Sequence, residues 1–327
     1  MVIYKLIHVY YATSEPLSTK SKSSRMPNRI TYSALTNVLP YQRLAMYEKV
    51  FATTSPVELH GAYIWSVKAA ASLQPLLSTL EVALRNSIHN SATTLIAPDW
   101  YDKLNTKQRK SWKVAQRDKN NITWHKSEVA RVKKKLASKM PPKGLTRHDL
   151  LVAKMDFGFW DNLLRECFSI NGDKHALWPQ CIPTIFPNLP KGHTNASIQR
   201  EISSLRELRN DIAHNSPIWK HKTVIDQQTA IQYINHQLDK IVEIISWLSS
   251  EKVDWLEVHM LQSEARRVAS IKYLHLCQRK NTNEFTEPLS SYKRSLRGKL
   301  KQLDKDEFDV IETFNNQLYL VAKLTVQ

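Results

Sequence analysis

Arg209, Asn210, Asp211 and His214 put a guanidinium, an amide, a carboxylate and an imidazole within six residues. A guanidinium forks onto two phosphate oxygens. An imidazole carries protons near neutral pH. Together, and without a metal, they suffice for cleavage of RNA by its own 2′-hydroxyl. A base takes the hydroxyl proton, the guanidinium stabilises the charged phosphorane, and an acid protonates the leaving 5′-oxygen. One imidazole does not easily serve both ends, so two copies related by a two-fold axis would supply both groups. On residue types alone R-x-x-x-x-H is a weak signal, and the competing reading is ordinary helix surface.

Such a pair needs a helix that stops at the right place. Ile198, Ile202, Leu205, Leu208 and Ile212 give residues 196–214 an apolar stripe, with Thr194 or Asn195 as the cap. Pro217 biases Ser216 away from the α region, so the helix should stop near His214 or Asn215. A helix C-terminus favours an imidazolium. On a straight helix Arg209 and His214 stand about 140° apart around the axis. A frayed end lets the imidazole swing and the long Arg209 arm converge on the same anion. Asn210 neighbours His214 and can orient the ring or the phosphate.

A second helix is expected over residues 57–97, with Leu73, Leu77, Leu80, Leu84 and Ile88 as its buried stripe and Pro75 as a kink or break. Glu81, Arg85 and His89 lie on one line beside the stripe. They are either a solvated ion-pair row, worth only about 0.3–0.5 kcal/mol per pair, or part of a site.

The chain has 327 residues, only 6 glycines, a net charge of +17 and a pI near 9.7. Scarce glycine and abundant Leu, Ile, Ala and Lys favour an all-α fold. The charge suits nucleic acid or an anionic surface. From Lys103 to Lys154 sixteen Lys or Arg face three Asp or Glu, interleaved with Trp112 and Trp124 just after Trp100 and Tyr101. Arg131, Lys133, Lys134 and Lys135 are the densest run and the expected RNA contact. Trp112 and Trp124 either stack on unpaired bases or turn into the core. No run of about 18 apolar residues exists, so no membrane span is expected. Three scattered cysteines point to a reducing cytoplasm and inert thiols. His175, Cys181 and His193 match no zinc spacing, and no metal or cofactor is expected.

The other elements are placed more coarsely. Residues 30–53 read as one or two short helices, 149–170 as an amphipathic helix with Gly158 allowing a close approach, and 171–195 as a long loop. Residues 222–250 have heptad-like spacing from Val224 to Leu248 and read as a bundle helix. Residues 253–327 read as two or three helices, with Ile311, Phe314, Leu318 and Val321 at helical spacing and a polar loop at 280–290. Residues 1–28 are set aside as a disordered or non-native extension, Met26 being an alternative start. The expected division is residues 29–250 as one helical domain with a basic insert at about 100–150, then a helical extension over 251–327.

Three segments together resemble the Abi-like (abortive infection) branch of the HEPN superfamily. They are Leu80-Glu81-Val-Ala-Leu84-Arg85-Asn86, Met155-Asp-Phe157-Gly158-Phe159-Trp160, and Arg209-Asn210-Asp-Ile-Ala-His214 with the following Pro217 and Trp219. Order and spacing agree over about residues 57–250. The resemblance implies a dimerising HEPN-like helical bundle whose paired motifs line a cleft. It implies a metal-independent endoribonuclease used as a toxin or phage-defence effector. Arg209 and His214 become the catalytic pair, with Asn210, Glu81 and Arg85 in support. Expected partners are RNA (tRNA or another cellular RNA), a second copy of the chain, and an antitoxin or defence-system protein. The alternative is a non-catalytic RNA-binding module of the same fold. A DNA-binding regulator is the weakest reading, since no helix-turn-helix with a basic recognition helix is visible.

Overall fold

The structure, a computed structural model, describes residues 39, 41–280, 286–302, 308–312 and 318–322; the N-terminal segment set aside above lies outside them. The leucine stripe makes the longest element. After a short helix α1 (Tyr41–Phe51), α2 runs unbroken from Pro56–Leu95, 40 residues, starting on a Ser55 cap with Pro56 in its first turn. Leu73, Leu77, Leu80, Leu84 and Ile88 are all fully buried. Of the two effects expected of Pro75, a kink or a break, the break does not occur. Pro75 and Ala71, whose carbonyl it deprives of a donor, both lie on the exposed side. An exposed carbonyl costs little there, because solvent can pair with it.

Next come α3 (Trp100–Lys103), α4 (Trp112–Leu136), α5 (Arg147–Val152) and α6 (Phe157–Leu163). The single helix expected over 149–170 is therefore two short helices and a 3-10 turn at Glu166–Phe168. Asp156 causes the break, because its carboxylate accepts from the Phe159 N–H at 3.0 Å and starts a new helix. The apolar side chains Leu151, Phe157, Phe159, Trp160, Leu163, Leu164 and Phe168 of this stretch are all buried, and Leu150 is half-buried. The long loop that follows holds only α7 (Ile182–Ile185).

Helix α8 (Asn195–Ala213) begins on a Thr194–Ser197 capping box. Helix α9 (Gln227–Leu248) begins on an Asp226–Thr229 box and buries Ile231, Ile234, Leu238, Ile241, Ile245 and Leu248 within the same molecule. Three further helices, α10 (Ser250–Val258), α11 (Leu261–Val268) and α12 (Ile271–Gln278), continue the bundle. Gly61 lets α12 close on α2, for a Cβ there would stand 2.4 Å from the Cys277 carbonyl oxygen.

The last part departs from the helical expectation. Helix α13 (Leu289–Gln302) is preceded by β1 (Thr286–Pro288) and followed by β2 (Phe308–Glu312) and β3 (Leu318–Ala322). β1 pairs parallel with β2, and β2 antiparallel with β3 with Phe308 opposite Ala322. Ile311, Leu318 and Val321 thus lie in strands, and Phe314 lies outside the described residues. Their spacing mimics a helix, yet each run is too short and too rich in β-branched and aromatic side chains to hold one. The fold remains predominantly helical. Among the described residues no helix is long and apolar enough to cross a membrane.

Candidate functional site

Helix α8 stops where Pro217 requires. His214 is its C-cap, at φ −93° and ψ 9°, and Asn215 takes the left-handed conformation at φ 54°. The Asn215 N–H donates to the Ile212 carbonyl at 3.0 Å and the Ser216 N–H to that of Asp211 at 2.8 Å, closing the helix end. Two long-range anchors hold this turn. Arg43 of α1 donates to the Asn215 carbonyl. Trp219 is buried, with its ring edge-on to Tyr47 at 5.0 Å and Phe51 at 5.1 Å. His214 itself is exposed.

One turn back, Arg209 leans toward α2. Its Nε is 4.0 Å from the Glu81 carboxylate, and its Nη1 lies 3.5 Å from Asn210 Oδ1. Glu81 thus reaches across to α8 rather than along its own helix to Arg85, whose Nε donates to Asn86 Oδ1 at 3.3 Å. Burial pushes the Glu81 carboxyl above its ordinary range; Arg209 pulls it back, Asp156 pushes it further up, and Arg85 lowers it. Arg209, Asn210, Glu81 and Arg85 therefore share one patch where α2 and α8 run together, with Asp156 at its edge. His214 stands beyond it at the open helix end. His89 leaves the row: its Nδ1 accepts from the Trp100 indole at 3.0 Å, and its Nε2 faces Asp149 at 3.6 Å.

The basic insert divides. On α4, Ile122, His125, Val129, Val132 and Leu136 face the core. Arg131 gives two N–H groups to Glu128, at 2.9 and 2.5 Å, and also feels Asp156. It so borders the patch. Lys133 lies on the other side, paired with Asp102 at 2.5 Å and above the Tyr101 ring. Lys134 and Lys135 are exposed and in no ion pair among the described residues. Trp100 and Tyr101 are core; Trp112 is 78% exposed and Trp124 36%. Burial raises the Cys167 thiol to about 12 and the Cys181 and Cys277 thiols to about 11, as inert thiols require.

Sequence reasoning missed the buried Asp161. It accepts from Arg206 Nε at 2.8 Å, Ser203 Oγ at 2.5 Å and Gln199 Nε2 at 3.3 Å, fastening α6 to the motif helix. A lone acid inside the apolar run Phe157–Leu164 was the available signal.

A family model of the Abi-like protein matches residues 29–220, more than half of the chain. The chain belongs to the Abi-like family. The Abi-like match takes in the whole patch, the basic insert and the Trp219 anchor, whereas α9 and everything after it lie outside. No curated protein and no solved structure matches the chain.

A groove of about 580 Å³ opens elsewhere, lined by Val82 of α2 and Lys252 and Trp255 of α10; Arg209 and His214 do not line it. Of the motif of this Abi-like protein, His214 is exposed while Arg209 and Asn210 are half-buried.

Proposed function

We propose that this Abi-like protein is a HEPN-type endoribonuclease acting as an abortive-infection effector or toxin in the cytoplasm. The observation that carries the reading is the open end of α8, where an exposed His214 follows Arg209 by five residues beside Glu81 and Arg85. His214 as base takes the proton of a 2′-hydroxyl, whose oxygen attacks the adjacent phosphorus. Arg209 neutralises the charge that builds on the phosphoryl oxygens, and Asn210 supports it. The P–O5′ bond breaks as the leaving oxygen takes a proton from the His214 of a second copy. The products are a 2′,3′-cyclic phosphate and a 5′-hydroxyl. This chemistry calls on no metal. The substrate is tRNA or another cellular RNA, and an antitoxin or defence partner restrains the toxin.

The test is incubation of purified protein with labelled RNA in EDTA and sequencing of the ends. Wild type leaves cyclic phosphates, while His214→Ala and Arg209→Ala lose about 10²–10⁴-fold in rate. Cleavage that persists in His214→Ala overturns the assignment. A non-catalytic RNA-binding module is the second reading, favoured by Glu81, which neutralises part of the Arg209 charge. It predicts salt-sensitive binding without cleavage, identical in His214→Ala.

A further inference from the structure

Lys113, Arg117, Trp124, Arg131 and Lys135 recur at steps of four and seven along α4 and are all exposed. Those steps place them on one side of the helix. Two observations say which side. A Cβ on Gly158 would stand 3.9 Å from the Trp124 ring, so the indole lies against the start of α6. Arg131 feels Asp156, the cap of α6, and Asp156 also acts on Glu81. The stripe therefore borders the patch that holds Arg209. Beyond Asp156 and Glu81 at that border, α4 itself adds little free negative charge. The two acids of α4, Asp118 and Glu128, are each held by an arginine, Arg109 and Arg131. Arg131 spends two of its five N–H groups on Glu128, leaving three for a phosphate. Trp112 is more exposed but sits about a third of a turn away.

The combination discriminates between forms of RNA. A duplex offers phosphates but keeps its bases stacked inside, so an indole on its surface finds no base face. An unpaired strand offers both a row of phosphates and open π-faces. We infer that this side of α4 is a track for unpaired RNA, with Lys113, Arg117, Arg131 and Lys135 on its phosphates and Trp124 stacked on one base. The track spans about 33 Å from Lys113 to Lys135. It delivers a loop or single strand, not a helix, to Arg209 and His214. This rests on the RNA-cleaving reading above.

The test uses full-length His214→Ala protein, which holds RNA without cutting it. Binding of an unstructured oligouridylate is compared with that of a fully paired RNA duplex of the same length, by fluorescence anisotropy. The single strand should bind at least tenfold more tightly. Trp124→Ala should weaken it about tenfold while Trp124→Phe restores most of the loss, as stacking on an aromatic face requires. Arg117→Glu with Lys135→Glu alters only exposed side chains and should also weaken it at least tenfold. Equal binding of duplex and single strand, or indifference to both the Trp124 and the charge-reversal variants, overturns the track but leaves RNA binding standing. Failure to bind either RNA overturns the RNA reading itself.

Discussion

Arg209 is useful because of what it leans on. Glu81 holds the guanidinium on the α2 side of the patch, yet burial and Asp156 oppose its ionised form. The carboxyl binds its proton more tightly folded than unfolded. Its contribution to stability is thus full below the ordinary carboxyl range and is lost as pH rises through the elevated folded value. Glu81→Gln, a neutral isostere, should therefore keep or raise the melting temperature at pH 8, with the gain gone at pH 4. A lower melting temperature at pH 8 would mean that the ionised carboxylate stabilises the fold. The residues of this patch, and His214 beyond it, were readable because types and spacing name them: Arg209, Asn210 and His214 by the motif, Glu81 and Arg85 by their shared helical line. Arg43 and Asp161 were not. Arg43 acts across 172 residues of sequence and Asp161 across 38 to 45, where periodicity carries no information.

Among the elements, α6 governs how α8 sits. Asp161 is 2% exposed and gathers Arg206, Ser203 and Gln199 from three successive turns of α8. Asp161→Ala leaves those donors facing a methyl group and should cost about 2–4 kcal/mol in urea unfolding. A loss under about 1 kcal/mol would show that solvent replaces the carboxylate easily. The long helices α2, α8 and α9 were legible because each carries one sustained stripe, and the ends of α8 because Thr194 and Pro217 are strong local signals. Residues 149–170 misled because the apolar pattern continues through Met155 and Phe157, while Asp156 between them decides the break by a cap. The strands β2 and β3 misled because five-residue runs carry too little periodicity to separate a strand from a helix turn.

For the whole molecule, charge and buried histidines act in the same direction. His125 is buried, donates through Nε2 to the Tyr101 carbonyl at 3.0 Å and lies on Phe159. Burial holds His125 and His89 below the ordinary 6.5. Their contribution is present above 6.5 and is lost as pH falls through it, because the unfolded chain then binds more protons. Protonation also adds charge to a chain already at +17. Thermal melts should therefore show lower stability at pH 5 than at pH 7.5; a flat profile across that window would contradict this account. A last consequence concerns α2, which touches α1, α6, α7, α8, α9, α11 and α12. Helices from early and late in the chain cover it, so hydrogen exchange on its buried side should be among the slowest in the bundle. His214 is at the other extreme, on the last turn of a helix that faces water. The patch therefore joins the central helix of the bundle to a helix end that faces water. Glu81 and Arg85 stand on the enclosed helix, while His214 stands at an exposed end that Arg43 and Trp219 hold from α1 and the following loop.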